Sequence, residues 1–104
     1  MPADPVKSDR IEEILVDTYD EYEQLSAWEV VFQDEVQTPF RAALLGVPIE
    51  VQGFQAGDDG ALQCLVVGKD RKRWIGLQDL DPEGLPDDFA DLLGLYQSWR
   101  AGDY

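Results

Sequence analysis

With 104 residues, one cysteine and no histidine, the chain can bury one modest core. It cannot form an internal disulfide, a two-cysteine metal motif, a histidine-based zinc site or a histidine acid–base centre. Its 22 acidic residues against 8 basic ones give a net charge of −14, which excludes a nucleic-acid binder and favours cations or a basic protein as partners. No apolar run approaches the roughly 20 residues of a membrane span and no signal-peptide core opens the chain, so a cytoplasmic protein without a membrane partner is expected.

In chain order, residues 1–10 are polar and contain proline, and are expected to form a flexible tail of a single 1–104 domain. The stretch 11–16 (IEEILV) suits a short helix and a strand equally. Val16–Phe40 reads as one amphipathic helix whose stripe is Tyr22, Leu25, Trp28, Val31/Phe32 and Val36. Thr18 followed three residues later by Glu21 fits a capping box, placing the helix start near Asp17–Asp20. Pro39 removes a donor and pushes Thr38 toward extended geometry, so the helix stops before it. Asp34 and Glu35 then fall in the last turn, where the helix dipole disfavours negative charge by up to about 1 kcal/mol per group. Fold stability alone would not choose that placement.

Next come four runs with strand character: Phe40–Leu45, Ile49–Gln55, Leu62–Val67 and Arg73–Leu77. Gly46-Val47-Pro48, 56–60 (AGDDG) and 68–72 (GKDRK) are the turns between them. An acidic connection, 78–84, leads to a second helix over Leu85–Trp99, with Asp87 and Asp88 in its first turn, where the dipole favours them. The expected architecture is α+β: an SH3-like antiparallel barrel or meander of four to five strands, with an N-terminal and a C-terminal helix packed on it.

The acids are segregated. Residues 1–36 hold eleven carboxylates against two bases, and 79–104 hold seven against one, while 37–78 is near neutral. An up-and-down meander would bring the start of strand one, the second–third turn and the end of strand four to one pole. Asp34, Glu35, Asp58, Asp59, Asp79 and Asp81 would meet there. Asp17 and Asp20 read first as N-caps and then as further carboxylate donors. Clustered carboxylates beside glycine turns supply the six to eight hard oxygens that Ca2+ takes, whereas Mg2+ demands a tighter octahedron. The EF-hand pattern is absent.

The segment 14–40 (ILVDTYDEYEQLSAWEVVFQDEVQTPF) resembles the N-terminal part of the small acidic calcium-binding proteins first known from filamentous cyanobacteria. The shared features are Val16-Asp17-x-Tyr19, Glu21 and Glu23, Ala27-Trp28, Asp34-Glu35 and Pro39-Phe40. Pro48–Phe54, Gly57-Asp58-Asp59 and Trp74–Leu80 are similar to that family's later strands and acidic turn, so the likeness runs from about Ile11 to Trp99. The resemblance implies a compact α+β fold with calcium sites that are not EF-hands. It also implies that the aspartate closing the first helix, here Asp34, is a main ligand. Ala27 stands where the family has glycine, and the first strand loop is shorter, which favours one site over two. The expected function is calcium buffering or sensing by a carboxylate cluster. The alternative is a metal-independent acidic module that docks a basic protein. An enzyme is not expected, because no nucleophile, histidine or cofactor motif accompanies the acids.

Overall fold

The structure is a computed structural model that describes residues 5–102. The elements run α1 (Pro5–Ile14), α2 (Glu21–Glu35), β1 (Phe40–Leu44), β2 (Val47–Ala56), β3 (Leu62–Gly68), β4 (Arg71–Gly76), a 3-10 turn (Leu77–Asp79) and α3 (Asp87–Ala101). Part of the expected tail is therefore helical, and α1 takes in Ile11–Ile14, settling the helix-or-strand alternative there. Residues 1–4 of that tail lie outside the described residues. Ile11 and Ile14 are buried and fasten α1 to the core.

The strands form one antiparallel sheet in the order β1-β2-β3-β4. β1 pairs only with β2 and β4 only with β3. The expected SH3-like barrel is thus corrected to an open four-stranded sheet. β1 and β4 stay apart at the two edges of the sheet, and helices supply the second layer that closure would otherwise provide. β2 and β3 change register between Val51 and Gly53, where Gln52 is the extra residue of a bulge. The bulge resets the two-residue alternation, so Val51 and Phe54, three positions apart, both turn inward.

The core lies between the sheet and α2 with α3. Trp28 and Phe32 of α2 meet Phe89 and Tyr96 of α3, with Trp28–Tyr96 centroids 5.6 Å apart and Phe32–Phe54 centroids 5.3 Å apart. Leu25, Trp28, Phe32 and Val36 are the buried stripe of α2. Tyr22, expected in that stripe, is 81 % exposed. It sits in the first turn of the helix, one turn before the packed surface begins. The wholly buried indole N–H of Trp28 has no acceptor among the described residues.

α2 starts where expected, next to Asp20, which is an N-cap as read from the sequence, but the capping pair differs. Asp20 is the N-cap and accepts from the Glu23 amide at 2.8 Å, while the Glu23 carboxylate accepts from the Tyr19 amide at 2.7 Å. Thr18 instead closes the preceding turn, its hydroxyl donating to the Leu15 carbonyl at 2.6 Å. The capping box exists in spirit but lies two residues later than the Thr18–Glu21 pairing, because Asp20 is the residue with extended backbone.

Candidate metal centre

The direction of α2 decides where the acids go. Glu29 accepts from the Ala56 amide at 2.6 Å, and the Gln33 side chain donates to the Phe54 carbonyl at 3.0 Å. Moving up α2 therefore means moving back down β2. The N-terminal half of α2 faces the β2–β3 turn, and its exit lies toward the middle of β2. β1 begins there too, with Phe40 opposite Val51, five residues short of Ala56. At about 3.3 Å per residue, that overhang separates the start of β1 from the β2–β3 turn by about 16 Å. The meander argument treats strands as equal in length, but β2 has ten residues and β1 five.

The eight expected ligands consequently divide among several places. Among the described residues, no three acidic or sulfur side chains converge closely enough to hold a metal ion. The single-pole cluster is absent from this arrangement.

Asp58 and Asp59 line a cleft of about 730 Å³ with Glu21, Tyr22 and Gln24 of α2, and with Trp99 and Arg100 of α3. Asp59 accepts from the Ala61 amide at 3.2 Å, a turn-forming bond. Arg100 already provides a cation here, donating to the Gly60 carbonyl at 2.8 Å and lying over the Tyr96 ring. Asp20, which caps α2, and Asp17, whose backbone is left-handed at φ 65°, belong to the α1–α2 connection.

Asp81 goes to the opposite end of the sheet. Its carboxylate accepts from the Leu45 and Gly46 amides at 3.0 and 2.9 Å, and its amide donates to the Ala43 carbonyl at 2.8 Å. Leu45 and Gly46 have φ 51° and 77° in a two-residue hairpin turn. This is primed-turn geometry, in which Leu45 adopts a conformation that side chains disfavour. Asp81 is the anchor of that turn. Asp79, in the 3-10 turn, is exposed, and its negative charge joins burial in raising the Cys64 thiol pKa to about 12. Burial is the larger cause. Cys64 is protonated and inert, as its place in the core suggests.

Asp34 and Glu35 remain, in the last turn of α2. Glu35 holds Arg10 of α1 through both oxygens, at 2.6 and 2.5 Å. Asp34 is exposed and its carboxylate makes no hydrogen bond or ion pair among the described residues. Val36 caps the helix by donating to the Phe32 carbonyl at 3.2 Å. The next residue, Gln37, donates its amide to Asp88 in the first turn of α3 at 3.2 Å. Thus Asp88, which the sequence suggested only as a dipole-compensating acid, is tied to the exit of α2.

The two acidic ends of α2 differ in electrostatic sign. Partial positive charge at a helix N-terminus opposes a cation, and partial negative charge at the C-terminus, with free last-turn carbonyls, attracts one. The cleft lies at the first kind of end and contains its own arginine. The exit is the second kind. Its donors are carboxylate and carbonyl oxygens, the hard set that Ca2+ accepts. The residues there fit calcium in chemistry but are not a closed cage, and Arg10 occupies one of them.

The sequence matches the family described as "Calcium binding", of the CcbP type, over residues 9–100. No curated protein matches. Among solved structures, the chain is similar to "The crystal structure of Anabaena CcbP", with a TM-score of 0.81 and 23 % identity, covering 97 % of this chain and 94 % of that one. It is also similar to "Calcium binding protein in the calcium-binding form", with a TM-score of 0.77 and 24 % identity over the same shares. At these identities the structural likeness establishes the shared α+β fold.

Proposed function

Given that the chain belongs to the CcbP calcium-binding family and that Ca2+ is its ion, we propose that it is a calcium buffer whose site is the exit of α2. Asp34 is the central ligand, Glu35 the second carboxylate, and last-turn carbonyls with water complete the shell. One observation carries this reading. Asp34 is an uncompensated carboxylate at the negative end of a fifteen-residue helix with no basic residue in its last turn, where a bound cation offsets the unfavourable charge. With two ligating carboxylates and a flexible shell, the dissociation constant belongs in the weak range, about 10⁻⁵ to 10⁻³ M. Magnesium, which gives up water reluctantly, binds less well.

Thermal unfolding with calcium against chelator tests this. Calcium at a hundredfold excess over its dissociation constant should stabilise the fold by about 2.7 kcal/mol. Asp34→Asn should lose most of that shift, and Asp58→Asn should keep it. No shift at about 10 mM calcium in the unmodified chain, roughly ten times the weakest dissociation constant expected, would sink the proposal.

A second reading draws on Tyr19 and Tyr22, 87 % and 81 % exposed beside Glu21 and Glu23. Exposed tyrosines on an acidic surface suit docking to a basic protein. Binding of such a partner that persists in chelator and weakens with salt would favour it.

A further inference from the structure

The ion pair between Arg10 and Glu35 joins residues twenty-five positions apart, and it is the one long-range salt bridge among the described residues. It engages one of the two acids in the last turn of α2 and leaves the other, Asp34, free. The Arg10 side chain is 31 % exposed and that of Glu35 48 %, so solvent and ions reach both. Arg10 also touches Glu13 at 3.3 Å on its own helix. It is not needed to dock α1, because Ile11 and Ile14, wholly and almost wholly buried, do that.

From this geometry we infer that Arg10 is a built-in competitor for Glu35 that sets the calcium affinity of the α2 exit. The inference rests on the site proposed above. A carboxylate whose two oxygens both accept from a guanidinium is a poorer calcium ligand, because one acceptor site on each oxygen is taken and the guanidinium repels the incoming cation, so calcium gains Glu35 at the expense of the Arg10 pairing. A half-exposed pair of this kind, in which one guanidinium nitrogen is shared by both carboxylate oxygens, biases an equilibrium by about three- to tenfold. Binding and pairing are linked reciprocally, so calcium weakens the Arg10–Glu35 pair by the factor by which that pair weakens calcium.

The test is a calorimetric calcium titration of the full chain, its Arg10→Gln variant and its Lys72→Gln variant. Gln keeps much of the Arg10 stem while removing the charge, and a melt in chelator checks that α1 stays folded. Lys72 is exposed on β4, the edge strand farthest from β1. It therefore controls for net charge, since screening acts over about 8 Å at physiological salt. Arg10→Gln should tighten calcium binding about three- to tenfold, and Lys72→Gln should leave it within about twofold. In a Glu35→Gln background, Arg10→Gln should bring no further gain. Equal affinities for Arg10→Gln and the unmodified chain, equal gains from both charge removals, or a full gain in the Glu35→Gln background would each overturn the inference. An unmodified chain that takes up no calcium overturns the parent reading, and this one with it, and is distinguished by that result alone.

Discussion

The two ends of α2 carry similar acid and put it to different uses. At the N-terminal end, Asp20 and Glu23 satisfy backbone donors, and Asp59 forms a turn while Arg100 supplies positive charge. Every one of those acids strengthens the fold where it stands. At the C-terminal end Asp34 satisfies nothing within the described residues, and Glu35 is held by an arginine borrowed from another helix. Counting carboxylates therefore does not locate a cation site. In the proposed reading, the sign of the helix end and the bonds already made mark the α2 exit instead.

The comparison depends on α2 being pinned to the sheet, and the largest expected effect comes from unpinning it. Phe32 is wholly buried among Trp28, Phe54, Phe89 and Tyr96. Phe32→Ala should cost about 3–5 kcal/mol in denaturant unfolding and should blunt the calcium response through loss of position rather than loss of a ligand. Asp81→Ala removes two hydrogen bonds to the Leu45–Gly46 turn and should cost about 1–2 kcal/mol, equally in calcium and in chelator. A calcium-dependent difference there would return Asp81 to the ligand set. Asp20→Ala removes the cap of α2 and should cost about 1 kcal/mol, again without regard to calcium. If instead it weakened calcium binding, the contrast between the two ends would fail.

Much of this fold could be read in the chain before any coordinates. Leu25, Trp28, Phe32 and Val36 follow helical spacing, and Pro39 ends the segment, so α2 was legible. The glycine and acidic turns marked four strands, and the order of the sheet followed from short connections. Three things were hidden. Gln52 reads as an ordinary alternating residue, yet the bulge there turns Phe54 into the core. The unequal lengths of β1 and β2 separate acids that an even meander would join. The 3-10 turn at Leu77–Asp79 carries Asp81 back to the β1–β2 hairpin, a destination set by the Leu80 and Asp81 backbone bonds rather than by local composition. The Arg10–Glu35 ion pair was likewise invisible, because its partners are distant in sequence. Two bases ahead of an acidic helix, Lys7 and Arg10, were the one available signal. The position of Asp34, exposed in the last turn of α2, was legible because its place along the helix is a local property.

The central claim is that calcium enters at the exit of α2 and not at the β2–β3 turn. The direct measurement is a calcium titration followed by backbone amide NMR. The account predicts the largest shifts at residues 33–37 and at Asp88, with residues 57–61 little changed. The largest shifts at residues 57–61, with 33–37 unmoved, would contradict it.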